Sequence, residues 1–242
     1  MEAFAALVFA GSLVAGAVAA VAGFGIGSLL TPLFALVVGT KLAVVVVSIP
    51  HAAATALRLW RLRRFVDWKV FRGFGLASAT GGLGGAALHA RASSPALSAT
   101  LGVLLVFAGA SQLTGLADRL RFRGPAALAA GAVSGFFGGL VGNQGGIRSA
   151  ALLGLDLGRD AFVATATAAA LLVDAARVGF YVAFAGGVLA RLWPLLVVAT
   201  AGALIGTVGG ERVLRRIPEP LFRRVVAITL MMLGVALLIA AL

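Results

Sequence analysis

The chain has 242 residues, of which 61% are hydrophobic and only 12% charged, and its mean hydropathy is +1.09. A soluble domain is roughly 45–50% apolar and about 25% charged, so this chain lacks the polar surface to cover a water-facing globule and reads as an all-α integral membrane protein. A soluble enzyme, a DNA-binding module and a disordered tail are excluded as whole-chain readings. The net charge of +12 stands mostly on arginines in short segments between apolar runs. That is the pattern of loops facing anionic lipid, so no nucleic-acid partner is expected. The chain has no cysteine, which excludes disulfides, thiolate metal sites and thiol-relay chemistry, and no metal or cofactor is expected.

In chain order, the opening Met1-Glu2-Ala3-Phe4 lacks the basic start of a signal peptide, so the first apolar segment is expected to stay in the mature protein. Residues 4–38 form a segment interrupted at Gly23-Phe24-Gly25-Ile26-Gly27. A run over 41–60 ends in Arg58, Arg61, Arg63 and Arg64. Runs follow over 67–88 and 95–116, and then the charged loop Asp118 to Arg123. Residues 126–155 form a second interrupted segment, broken at Gly142-Asn143-Gln144-Gly145-Gly146. Runs over 160–184, 189–214 and 221–242 complete the chain. Trp60, Trp68 and Trp193 fall near the expected span ends, where indoles anchor at the membrane interface.

The two halves resemble each other. A spacing of 119 superposes Arg58 on Arg177, Gly23 on Gly142, Gly27 on Gly146 and Ser48 on Thr167. Slightly larger offsets align Gly81-x-x-x-Gly85 with Gly202-x-x-x-Gly206, Pro95 with Pro220 and Gly109 with Gly234. This is an internal repeat, 1–120 and 121–242. The positive-inside rule then orients it. Three loops are expected to be cytoplasmic: the one carrying Arg58 to Arg72, the one with Arg119, Arg121 and Arg123, and the one with Arg212, Arg215, Arg216, Arg223 and Arg224. Tracing back puts a loop near Gly186-Gly187 outside and one at Asp156–Asp160 inside. Each half becomes a glycine-broken helical hairpin plus three transmembrane helices. The repeats are inverted, and both termini lie on the outer side of the inner membrane.

Inverted repeats with interrupted helices are a transporter signature. Non-helical backbone survives at membrane depth only inside protein or beside a watery cavity. Two such elbows, one from each face, would expose helix N-terminal N–H groups that suit an anion. The first offers backbone groups at Gly25 and Gly27, with Ser28 and Thr31; the second adds Asn143, Gln144, Gly145, Gly146, Arg148 and Ser149. Glycines that merely let helices pack closely are the plain alternative, but packing does not account for Asn, Gln and Arg inside an apolar segment. An arginine at the bilayer centre costs roughly 2.5–3.5 kcal/mol on insertion scales, so Arg148 is the foremost candidate for binding substrate.

Other polar residues are open to two readings. Asp174 and Arg177, spaced i, i+3, form either a structural ion pair or a gating and coupling element. Arg58 reads as a topology charge. His51 is a proton relay or a packing histidine beside Pro50. His89 sits at a span end with no assigned role. Thr165 and Thr167 line a polar path or bond back to carbonyls one turn earlier.

The stretch Gly16 to Pro32, Val66-Asp67-Trp68 after a basic loop, and the second glycine-rich hairpin resemble the TauE/SafE sulfite exporter (TSUP) family over nearly the whole chain. The second motif departs from the usual Gly-x-Gly-Gly-Pro type and carries GNQGGIRSA at 142–150, which resembles a sub-group. The resemblance implies an inner-membrane exporter of sulfite-like or small organic anions, coupled to protons. Expected partners are therefore a small anion, membrane lipid and protons, with a homodimer as a candidate assembly. An anion channel of the same fold is the alternative. An intramembrane enzyme is disfavoured, since Ser134 lies in no nucleophile motif and no HExxH or paired-Asp motif occurs.

Overall fold

The computed structural model describes residues 2–120, 122–214 and 216–242, without the side chains at 117, 118, 211 and 213. The loop charges expected at Arg121 and Arg215, the side chains of Asp118 and Glu211, and Met1 at the chain start lie outside the described residues. Helix α1 (Glu2–Ala22) is followed by α2 (Ile26–Leu62), a 3-10 turn (Arg63–Phe65), the short α3 (Trp68–Val70), a π turn (Phe71–Gly75) and α4 (Leu76–Arg91). Then come α5 (Ser94–Thr114), the short α6 (Leu116–Arg119), α7 (Pro125–Val141), α8 (Gly145–Leu153), α9 (Arg159–Arg191), α10 (Trp193–Leu214) and α11 (Glu219–Ile239).

Local chemistry sets these limits. Asp67 caps α3 by accepting from the N–H groups of Lys69 and Val70. Ser93 caps α5, with Pro95 in its first turn, and Pro125 and Pro220 open α7 and α11 in the same way. The expected separation of the 4–38 segment from the 41–60 run takes the form of a break inside α2 at Gly39, whose φ of 76° and ψ of 155° are non-helical. The expected loop at Gly186-Gly187 takes the form of a kink inside α9 at the adjacent Ala185, whose φ of −127° and ψ of 15° are non-helical. Both glycines are helical within α9, and the chain turns at Leu192. A glycine pair lowers helix propensity by about 1 kcal/mol per residue, which a long packed helix tolerates when no left-handed angle is demanded.

Six helices among the described residues are long and apolar enough to cross a membrane. Side chains such as Leu36, Met232 and Ile239 are exposed by 78%, 68% and 66%. In water such a surface would drive association; against lipid tails it is at home. Trp60, Trp68 and Trp193 are exposed as well, and the Arg63 guanidinium sits 4.0 Å over the Trp60 ring.

The helices pack in pairs: α1 with α10, α4 with α7, α5 with α11 and α2 with α9. Glycines set the closest approaches. A Cβ on Gly81 or Gly85 of α4 would collide with the carbonyl of Ala132 or Phe136 of α7. A Cβ on Gly202 or Gly206 of α10 would strike that of Phe9 or Leu13 of α1. In both pairs the contacts advance together along the two chains, so the helices run parallel. On α5 and α11, Gly102 meets Gly234 while Gly109 meets Ala227, so these two run antiparallel. Small residues let backbones approach where lipid supplies no hydrophobic drive for helix association.

Gly85→Val and Gly206→Val should each destabilise the protein by about 1–3 kcal/mol through overpacking, read as a lower thermal midpoint in detergent. Gly187→Ala, with nothing close to its Cβ position, should leave the midpoint unchanged or raise it.

Candidate anion site

Two elbows interrupt the helices. The first joins α1 to α2 between Ala22 and Ile26, and the second joins α7 to α8 between Val141 and Gly145. Gly142 closes α7 with φ 74°, and its N–H donates to Gly138 O at 3.0 Å. This left-handed cap is one that L side chains rarely adopt. The elbows touch: a Cβ on Gly27 would collide with Gly142 O, and one on Gly145 with the Phe24 side chain. The first bond of α2 runs from Leu29 N to Gly25 O, and that of α8 from Arg148 N to Gln144 O. The N–H groups of Ile26, Gly27 and Ser28, and of Gly145, Gly146 and Ile147, therefore have no partner along their own helix. Each helix start carries about half a positive charge.

A small cavity of about 20 Å³ lies where the elbows meet. Of the residues singled out from the sequence, Gly25, Gly27, Ser28, His51, Asn143, Gln144, Gly145 and Arg148 line it. Gly146 and Ser149 are not among its lining, nor are Asp174 and Arg177, which stand behind His51. Three lining residues lie outside the elbows and escaped the sequence reading of the site: Ala19, Thr55 and Arg58. Arg58 was read as a loop charge, but it lies within α2 and is 9% exposed. Its position exactly 119 residues before Arg177 was the available signal.

The polar groups divide into satisfied and unsatisfied sets. Asp174 is fully buried. Its Oδ1 accepts from Arg177 Nε at 3.0 Å, with Arg177 Nη2 at 2.8 Å, and its Oδ2 lies 2.7 Å from His51 Nδ1. Arg177 Nη1 donates to Gly138 O at 2.9 Å, and the Tyr181 hydroxyl donates to Gly139 O. His89, also missed, sets Nδ1 2.7 Å from Leu140 O and Nε2 3.1 Å from Lys41 O. Three successive carbonyls at the end of α7, those of Gly138, Gly139 and Leu140, are thus held by three side chains, the first shared with the Gly142 N–H. Ser134 donates to Gln144 O at 2.9 Å, so its hydroxyl braces the second elbow. Thr167 bonds back to Val163 O at 2.7 Å, while Thr165 Oγ1 accepts from Asp67 N at 2.9 Å.

In contrast, Arg148 is 3% exposed and its Nε and Nη1 have no partner among the described residues. The same holds for both side-chain polar atoms of Gln144 and for Nε of Arg58, whose Nη1 donates to Ala19 O at 2.6 Å. Unpaired buried donors of this kind are costly. Guanidinium forks beside two helix starts match the geometry of an oxyanion.

Apolar helices long enough to span a membrane, interrupted by two elbows that meet at buried arginines, are the architecture of a multi-pass membrane transporter. The chain belongs to the sulfite exporter TauE/SafE family, whose model matches residues 8–237, nearly its whole length. The family is one of transporters, not enzymes, and its membership makes this chain a membrane exporter of sulfite or a related anion. No curated protein and no solved structure matches the chain.

Asp174→Asn should strand the buried Arg177 cation and lower unfolding stability by about 3–5 kcal/mol. Asp174→Asn combined with Arg177→Gln should cost less than the single variant, as measured by denaturant or thermal melts in one detergent.

Proposed function

We propose that this chain exports a sulfite- or sulfonate-like anion from the cytoplasm across the inner membrane. It does so as a secondary carrier that alternates access around the two elbows and is coupled to protons. The observation that carries this reading is Arg148, a buried guanidinium with unmatched donors at the start of α8, facing the start of α2 across one cavity.

The alternating mechanism rests on two inverted repeats, 1–120 and 121–242. Supporting it, the helix pairs exchange with one another when the halves are swapped: α1 with α10 becomes α7 with α4, while α5 with α11 and α2 with α9 map onto themselves. The contacts Gly102–Gly234 and Gly109–Ala227 likewise interchange at an offset of 125. The cavity lining continues through Thr55 and Arg58 toward the arginine-rich end of α2, the expected cytoplasmic end. In the other direction Leu30, Phe34, Val44 and Tyr181 are packed into one buried cluster. A site walled off on one side favours a carrier over a channel, and the conformer is read as facing the cytoplasm, with both termini outside. His51 touches both the cavity and Asp174, so it is the residue through which a proton would couple to the anion.

In proteoliposomes, sulfite flux should saturate and run uphill when a proton gradient is imposed. Arg148→Ala should raise the half-saturating concentration at least about tenfold, the worth of a lost charged hydrogen bond. His51→Gln should abolish the response to the gradient while sulfite exchange persists. Wild-type-like transport by Arg148→Ala would refute the site, and flux that neither saturates nor runs uphill would refute the carrier.

A further inference from the structure

The two halves hold their elbows by the same device but balance its charge differently. Arg177 Nη1 donates to Gly138 O, and 119 residues earlier Arg58 Nη1 donates to Ala19 O, itself 119 before Gly138. Each arginine thus caps the final turn of the first arm of its hairpin. Three residues before Arg177 stands Asp174, whose carboxylate takes two of its nitrogens. Three residues before Arg58 stands Thr55. One guanidinium is neutralised on its own helix, whereas the other faces the cavity with Nε unmatched.

We infer that Arg58 is a second substrate-binding guanidinium and that the site takes a doubly charged oxyanion, Thr55 being the position that leaves the charge of Arg58 for the substrate. This rests on the reading of the cavity as an anion site. The charges facing it are Arg58 from α2 and Arg148 from α8, which repel each other across it. Behind them the Asp174 carboxylate is committed to Arg177 and His51. With that pair cancelled, two positive charges remain, and a dianion balances them where a monoanion leaves one uncompensated. In a buried site an unbalanced charge is strongly disfavoured. A purely structural Arg58 would need only the bond to Ala19 O and would be indifferent to a carboxylate three residues away.

Thr55→Asp tests this, because it gives the first half the i, i+3 ion pair already present in the second. The full-length protein in detergent is titrated with sulfite at alkaline pH, where it is doubly charged, and with nitrate, at constant ionic strength. Binding is read from the thermal midpoint. The wild type should bind sulfite at least about tenfold more tightly than nitrate, and Thr55→Asp should lose at least about tenfold in sulfite affinity. Thr55→Asn, matched to aspartate in shape but not in charge, should lose at least about fivefold less. Arg58→Gln, which keeps a donor for Ala19 O, should reproduce the loss and covers the case in which the aspartate variant does not fold. Wild-type sulfite affinity in Thr55→Asp or Arg58→Gln would overturn the inference, and so would equal losses in the Asp and Asn variants or equal binding of nitrate and sulfite by the wild type. A wild type stabilised by neither anion would overturn the anion site itself, and this inference with it.

Discussion

Unbalanced positive charge buried between two helix starts is the constraint on which the rest of this molecule turns. Arg148 and Arg58 are buried among packed helices, with nitrogens that no described residue meets. Hydrocarbon would expel such groups. They are held in place because they ride on backbone fixed by other means, Arg148 in the first turns of α8 and Arg58 through its bond to Ala19 O. The chain thereby stores an electrostatic demand that a small oxyanion can meet.

The surrounding structure keeps the unwound backbone at the level of that charge. Arg177, Tyr181 and His89 reach from α9 and α4 to the last carbonyls of α7, so the second elbow is tied to two neighbouring helices. His89 also ties α4 to the start of the helical stretch after Gly39 through Lys41 O. Nearby, the Thr40 and Ser98 hydroxyls pair at 2.6 Å. The glycine contacts of α4 with α7 and of α10 with α1 bring backbones close, and the first arm of each elbow lies in one of these pairs.

The features most legible in the sequence were those with a local signature. Glycine clusters inside apolar runs gave both elbows, and an arginine amid them gave Arg148. The i, i+3 spacing gave the Asp174–Arg177 pair, because helical neighbours three apart must meet whatever else the fold does. Long-range chemistry was less legible. His51 meets Asp174 across 123 positions, and only the packing of α2 on α9 brings them together. Arg58 stands three residues from a run of exposed arginines, so composition alone assigned it to the loop; its burial depends on α1 ending beside it. His89 finds its partners on two other helices, Leu140 near the end of α7 and Lys41 just after the break at Gly39, places that no motif marks. Gly186 and Gly187 marked the kink at Ala185 but not the turn, which falls at Leu192, since glycine permits a turn without compelling one.

The most direct measurement is crystallographic. Crystals soaked in selenite, a heavier analogue of sulfite, should show one anomalous peak in the cavity within hydrogen-bonding distance of Arg148 and Arg58 and in line with the N–H groups that open α2 and α8. A peak elsewhere, with the cavity unchanged at a selenite concentration that blocks sulfite transport, would contradict the account.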